Sequence, residues 1–475
     1  MAASNFIKSH FHMDAGRRKA YVANDGTVIT GEPGELLVAN ARDLATVWQF
    51  ASQSRDNRRE FYHQTDPNEL SEDDRKFYNK VRELFRCPDT MTPIYDEDGS
   101  VRCYEDENHK LYNMFYIKKT LEELPMGAFA MKQKVLTFVG RSNSAKTTMI
   151  EMLSIFMMTL ITENPAIDVE IANRPGSPVF KVFADICKRF DENKVPGRSH
   201  SGIEIQETSF NVSCNDPEMD SPVQMLLQFK DIPGEDFEQL NYGSYINKAH
   251  RIPIVVISCN DLLEHHKSRA GYTELDEYLV NYSGISADER LSRKYEWERP
   301  IFILSNFDVA ADNIPDERVR KVWDRGSSIE RDGRLHLKRH RDGLRLGEIH
   351  DVSHNLLVPF VADYAPTIYE HMTKIAHGEP LIFACASIGE EPVWNEKGGT
   401  FEYPEGFVPF NLDEPLLYLM NREGLYPAHE DEAKESRRLT GFFEGLMNKI
   451  LGGDWLTCFF EKLAEEFFLS EYGEV

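Results

Sequence analysis

At 475 residues the chain is longer than one hydrophobic core usually fills, so one large domain with additions, or two to three units, is expected. Its 41% hydrophobic and 28% charged residues are too apolar a mixture for general disorder, and a formal net charge of -25 opposes non-specific adhesion to nucleic acid or an anionic membrane. Seven scattered cysteines do not form the even, regularly spaced set of a disulfide framework and point to a reducing cytoplasm, and the longest greasy stretch, Met149 to Ile161, falls short of the about 20 residues a membrane span needs.

Met1 to Arg18 has no apolar segment of the kind a secretory signal carries, so no export is expected. Up to about Lys132 the chain is polar and turn-rich, with an acidic segment from Asp66 to Asp74 and short apolar runs such as Leu36 to Ala39. Residues 1–131 read as an N-terminal α+β accessory unit. From Lys132 to about Gly424 short β-rich runs alternate with helical stretches, the pattern of a mostly parallel sheet covered by helices. The expectation for 132–425 is therefore an α/β fold with three α/β/α layers. The runs are Val135 to Val139, Met225 to Phe229, Ile252 to Ser258, Ile301 to Leu304 and Leu381 to Cys385; they are continuously apolar, as strands buried on both faces are. After Tyr426 an acidic link, His429 to Glu435, leads into an aromatic amphipathic pattern that includes Phe442, Phe443, Leu446, Trp455, Phe459 and Phe467 and is divided by Gly452-Gly453. Residues 426–475 are thus expected to be a C-terminal helical extension, packed on the main domain or engaging a partner.

Directly after the first run comes Gly140-Arg-Ser-Asn143-Ser144-Ala145-Lys146-Thr147-Thr148, followed by an apolar helix from Met149. Strand, loop and helix in this order suit a phosphate-binding P-loop: small residues let successive N–H groups wrap a phosphate at a helix N-terminus, a lysine reaches the β- and γ-phosphates, and a hydroxyl ligates Mg²⁺. Lys146 and Thr147 fill the last two roles. Ala145 stands where this loop type has its second glycine, a substitution that costs energy if the position needs φ > 0.

The run ending at Phe229 leads into Lys230-Asp231-Ile-Pro-Gly234-Glu235. An aspartate at the C-terminal end of a buried strand can hold the Mg²⁺ hydration shell, and a glycine three residues later can offer its N–H to the γ-phosphate. Asp231 and Gly234 are assigned to those tasks, and Glu235 to orienting water. Between the loop and Asp231, Arg198-Ser199-His200-Ser201 precedes the strand-like Ile203 to Val212. Ser201 is the candidate second metal ligand and Arg198 the candidate transition-state arginine, the competing reading being a polar surface loop. After Leu304 comes Ser305-Asn306-Phe307-Asp308, where small GTPases carry [NT]-K-x-D. The Asp308 carboxylate can accept from guanine N1–H and the 2-amino group, a pair that adenine cannot supply; an aspartate capping the next helix is the competing reading. Asn306 takes the place of the lysine that stacks on the base. Ala386-Ser387, after Cys385, matches the loop whose N–H meets guanine O6.

This ordered set resembles the translation-factor-like class of P-loop GTPases. Leu227 to Leu240, with the apolar strand and Asn260-Asp-Leu262 beyond it, is most similar to the double-GTPase family of bacterial GTPase-associated conflict systems. The resemblance spans about Val135 to Leu419. It implies a G-domain-like P-loop NTPase fold, GTP and Mg²⁺ as ligands, and a switch acting beside partner proteins in anti-phage defence. Members often carry a cysteine-rich unit before the G domain; here only Cys87 and Cys103 stand there, too few thiols for a Cys₄ site even with His109, so no structural zinc is expected.

Between Arg318 and Arg345 ten Lys/Arg face four acidic residues in an otherwise acidic chain. An acidic partner, an acidic patch of the same chain, or nucleic acid would each use such a segment, with nucleic acid disfavoured because no aromatics interleave the charge. Three readings of the whole chain stand: a Mg²⁺-dependent GTP-binding and GTP-hydrolysing switch; a P-loop ATPase or phosphotransferase; and a degenerate G domain serving as a scaffold.

Overall fold

The computed structural model describes residues 20–23, 27–44, 79, 83–95, 101–120, 122–129, 131–142, 144–173, 178–191, 206–215, 223–232, 251–268, 273–292, 299–326, 329–331, 335–388, 393–395, 400–402 and 409–429. The apolar runs assemble into a seven-stranded sheet. Its strands are β1 (Lys132–Val139), β2 (Ile167–Ile171), β3 (Gln206–Cys214), β4 (Val223–Asp231), β5 (Arg251–Ser258), β6 (Ile301–Ser305) and β7 (Ile382–Ala384), in spatial order β2-β3-β4-β1-β5-β6-β7. β4, β1, β5, β6 and β7 pair in parallel, whereas β3 is antiparallel to both of its neighbours. The sheet is therefore mostly parallel, and the C-terminal ends of β1, β4, β5, β6 and β7 share one edge. That edge is where open α/β sheets bind ligands.

The helices are α1 (Lys146–Glu163), α2 (Pro178–Asp191), α3 (Cys259–Lys267), α4 (Glu274–Ser292), α5 (Phe307–Asn313), α6 (Glu317–Asp324), α7 (Leu346–Val352), α8 (Val358–Tyr364), α9 (Pro366–Ala376) and α10 (Asp413–Arg422). Alternation of Cβ directions along a strand sends Ile252, Ile254 and Val256 of β5 into one hydrophobic cluster with Met149, Leu153 and Phe156 of α1. Val255 and Ile257 go to the other face, with Leu262 of α3, Leu279 of α4 and Ile368 of α9. Two buried faces explain why these strands read as unbroken apolar runs. Each fully buried aliphatic side chain contributes about 1.5–3 kcal/mol. The greasy stretch from Met149 lies in α1, whose side chains are largely buried, and no helix among the described residues is long and apolar enough to cross a membrane.

Strand β2 is absent from the sequence reading because Ile167-Asp-Val-Glu-Ile171 alternates rather than running apolar, as an edge strand with one wet face does. Ahead of β1 the described residues form small antiparallel sheets, one from Leu36–Ala39, Met114–Ile117 and Glu123–Leu124, another from Thr92–Tyr95, Val101–Glu105 and Leu111–Tyr112. A third, from Tyr21–Val22 and Val28–Ile29, meets the central sheet through specific polar contacts. Gln133 of β1 exchanges hydrogen bonds with the Val22 backbone (2.9 and 3.2 Å) and donates to Gln228 Oε1 of β4 at 2.6 Å.

The basic stretch is folded onto acids of the same chain. Arg318 pairs with Asp316 (2.7 Å) and Asp363 (2.6 Å), and His336 and Arg341 reach Glu163 of α1 at 2.6 and 3.7 Å. Arg325 and His340 converge at 3.2 and 3.3 Å on Glu414 Oε1 of α10. Burial pushes the Glu414 carboxyl up, but the His340 hydrogen bond and the Arg325 and Arg339 charges prevail and hold it below its ordinary value. Of the three targets foreseen for this charge, the chain's own acids take a large share. The aromatic pattern from Phe442 onward lies outside the described residues.

Candidate phosphate-binding site

The loop leaves β1 through Gly140, and a Cβ there would sit 2.4 Å from Val256 O of β5 and 2.9 Å from Ser144 Oγ. Glycine is required because the loop presses on the neighbouring strand, although its own φ is unremarkable. Ala145, the residue just before α1, adopts φ 62 and ψ 18, the left-handed region that glycine occupies without penalty. The missing glycine thus coincides with a real backbone demand, at a cost of about 1–2 kcal/mol. Replacing Ala145 with glycine is expected to stabilise the protein by about 1 kcal/mol, read as a shifted denaturant midpoint at constant m-value. An unchanged or lower midpoint would show that the loop relaxes around the Cβ.

Lys146 opens α1 and folds back over the loop, donating from Nζ to Gly140 O (2.7 Å), Arg141 O (2.9 Å) and Ser144 Oγ (3.4 Å). It is 6% exposed, and burial lowers the pKa of its amine against the charges of Asp231 and Asp261. Thr147 Oγ1 donates to Asp231 Oδ2 at 2.6 Å, and Thr148 completes the first turn of the helix. Asp231 reaches Thr147 because β4 pairs in parallel with β1, with Asp231 opposite Phe138. The sequence reading ends the strand at Phe229; the structure carries it through Asp231, which is 3% exposed. Its second oxygen, Oδ1, is buried without a hydrogen-bond partner among the described residues. Burial raises the Asp231 carboxyl, while the Lys146 charge and the Thr147 hydrogen bond oppose the shift. A carboxylate oxygen buried without a donor, beside a hydroxyl at a strand end, fits a hard cation such as Mg²⁺, and Thr147 and Asp231 are the residues that would hold it.

The loop after β6 joins the same edge. Ser305 Oγ donates to Ser144 O at 2.8 Å, and Phe307 N donates to Cys385 O at 3.1 Å, so the loops after β1, β6 and β7 are tied in sequence. Asn306 takes φ 53 and caps α5 through its backbone position alone, its Nδ2 donating to Ser258 Oγ at 3.1 Å. Asp308 lies in the first turn of α5, not at its cap, and Oδ1 is buried without a partner among the described residues. Burial raises its carboxyl, and the amides of Val309 and Asp308 pull it back. Ala386 departs from its expected role: its N–H donates to Phe410 O at 3.0 Å, a ladder contact that leaves no hydrogen for a ligand. Ser387 beside it is 3% exposed, with Oγ buried and without a partner among the described residues.

No protein-family model and no curated protein matches the chain. Among solved structures it is similar to the S. cerevisiae Ski7 GTPase-like domain bound to GTP, at 17% identity over 62% of this chain and 50% of that one, with a TM-score of 0.27. The same domain bound to GDP and inorganic phosphate gives 14% identity, the same coverages and a TM-score of 0.26. Sup35 complexed with GDP gives 8% identity over 55% of this chain and 38% of that one, with a TM-score of 0.21. The matches thus span half or less of those chains.

Of the residues expected at the site, Gly140, Ser144, Ala145, Lys146, Thr147, Thr148, Asp231, Asn306, Asp308, Ala386 and Ser387 lie along one edge of the sheet. Asn143, Arg198, Ser201, Gly234 and Glu235 lie outside the described residues. Two participants were missed. Ser305 was legible from its place at the start of the base-reading motif, where a side chain capable of tethering the loop is needed. Arg141, in the loop after β1, had no such signal, because its partners, Asp261 and Glu274, lie more than a hundred residues away.

Proposed function

We propose that this chain is a Mg²⁺-dependent, GTP-binding switch of the P-loop GTPase type. The observation that carries the reading is the contact of Thr147 with Asp231 next to the buried Lys146, with one Asp231 oxygen buried and without a partner among the described residues. In this reading residues 132–425 are a three-layer G-domain-like unit, 1–131 an accessory unit and 426–475 a helical extension. Gly140, Asn143, Ser144, Ala145 and Thr148 line the phosphates through their backbones. Lys146 neutralises the β- and γ-phosphates, Thr147, Asp231 and Ser201 hold the metal, and Gly234 donates to the γ-phosphate. Asp308, Asn306, Ala386 and Ser387 surround the base, with Ser387 the better placed of the last two. Hydrolysis assigns Glu235 to orienting water and Arg198 to charge on the transition state, an assignment supported by sequence position. The cytoplasmic location, the protein partners met through the N-terminal unit or the C-terminal helices, and the anti-phage role are supported by the cysteine pattern and the sequence resemblance.

The test is equilibrium binding of fluorescent GTP and ATP analogues with and without Mg²⁺, competed by unlabelled GTP, ATP and XTP. Mg²⁺-dependent preference for GTP is the expected result; preference for ATP would make the chain a P-loop ATPase or phosphotransferase. Asp308→Asn is expected to move the base preference from guanine towards xanthine by roughly a hundredfold, since Asn can donate to the xanthine 2-carbonyl where Asp cannot. An unchanged preference would return Asp308 to a helix-terminal role. The left-handed Ala145 and the occupied Ala386 amide favour a second reading, a scaffold with weak nucleotide affinity. Absence of binding in the unaltered chain together with its appearance in Ala145→Gly would establish it.

A further inference from the structure

Arg141 follows Gly140 in the loop, and its guanidinium holds two acids from beyond β5. Nη1 meets Asp261 Oδ1 at 2.9 Å and Nη2 bonds Glu274. Asp261 lies in the first turn of α3, whose cap Ser258 receives the Asn306 amide, and Glu274 is the first residue of α4. The two acids differ in environment. Asp261 is 16% exposed and Glu274 81%, so water screens the second and hardly the first. The charge of Asp261 also reaches the Lys146 amine. Burial pushes the Asp261 carboxyl up, with Glu264 and Glu274 adding to the effect, while Arg141 and then Lys146 oppose it. A phosphate group on Lys146 would engage that lysine's charge and leave Arg141 as the cation offsetting Asp261.

We propose that Arg141 is a positioning residue that neutralises the half-buried Asp261 carboxylate beside the phosphate-binding lysine, and that it thereby sets the preference for a nucleoside triphosphate over a diphosphate. This rests on the nucleotide reading above. The physical reason is that repulsion by an uncompensated carboxylate grows with the ligand's charge. A triphosphate therefore loses more than a diphosphate when Arg141 is removed, and neutralising Asp261 cancels the loss.

The experiment titrates the full chain in Mg²⁺ with fluorescent GTP and GDP analogues, for the unaltered protein, Arg141→Ala, Arg141→Lys, Asp261→Asn, Glu274→Gln and Arg141→Ala with Asp261→Asn. Arg141→Ala is expected to weaken triphosphate binding roughly tenfold and diphosphate binding by about threefold or less. The double variant is expected to regain affinity to within about twofold of the unaltered chain, and Glu274→Gln to differ from it by no more than about twofold. Arg141→Lys keeps the charge and should keep the GTP-to-GDP ratio, and Asp261→Asn alone should raise that ratio even if Arg141→Ala fails to fold. Equal losses for GTP and GDP, a double variant as weak as Arg141→Ala, or a lower ratio in Asp261→Asn overturns the inference while leaving the nucleotide reading intact. An unaltered chain that binds neither nucleotide overturns both.

Discussion

Replacing Lys146 with alanine is expected to weaken nucleotide binding roughly a hundredfold or more, the scale of losing charge-assisted contacts to two phosphate groups, without lowering the melting temperature of the ligand-free protein. Two opposed effects set the stability side. The amine is buried and satisfied by the Gly140 and Arg141 carbonyls, and it attracts Asp231, but its desolvation outweighs that attraction, as its lowered pKa records. A lysine whose folded pKa lies below its unfolded value, about 10.4, costs stability at neutral pH when protonated. That cost fades as pH rises from the folded value towards the unfolded one, so the contribution of Lys146 to ligand-free stability should improve towards alkaline pH and vanish in Lys146→Ala. Calorimetric melting across pH, beside fluorescent-nucleotide titration, measures both effects. Retained nucleotide affinity would remove the phosphate-binding role from this loop, and a melting temperature lowered by many degrees would make Lys146 a structural strut.

Asp231→Asn is expected to abolish the Mg²⁺ dependence of nucleotide affinity and to raise the melting temperature of the ligand-free protein at neutral pH. Asparagine can still accept the Thr147 hydroxyl through Oδ1, so the 2.6 Å contact has a neutral substitute. The carboxyl is raised by burial despite Lys146 and Thr147. For a group whose folded pKa exceeds the unfolded value, about 3.9, the favourable contribution is complete below the unfolded pKa and is lost as pH rises through the folded one. At neutral pH the ionised side chain therefore costs ligand-free stability, and a cation at Oδ1 would recover it. Mg²⁺ dependence that persists in Asp231→Asn would move the metal elsewhere, and a large fall in stability would make Asp231 a turn-forming residue.

The five strands with unbroken apolar runs were legible because burial on both faces demands them, and the turn from β1 into α1 because a glycine ends the strand and an apolar helical run follows Lys146 and Thr147. β2 escaped because one face of an edge strand is wet, and the extension of β4 through Asp231 escaped because Lys230 and Asp231 look like the start of a loop until neighbouring strands bury them. Ser305 was visible only as the first position of a motif. Its bond to Ser144 O needed β6 to lie two strands from β1.

Local order and chemistry, then, were set by the sequence alone: which segments are the five apolar strands, that a lysine and a threonine open the helix after β1, that an aspartate follows the apolar run of β4, and that Ala145 stands where a glycine is wanted. These properties depend on residues adjacent in the chain, and so does the conformational cost at Ala145, although its φ of 62 had to be seen. The tertiary structure decided which groups meet. Strand order placed Asp231 against Thr147, closed the Ala386 amide onto Phe410, brought Arg141 to Asp261 and turned the basic stretch onto Glu163 and Glu414. Such contacts join residues far apart in sequence, and burial, by removing the water that would otherwise satisfy and screen them, gives them their energetic weight.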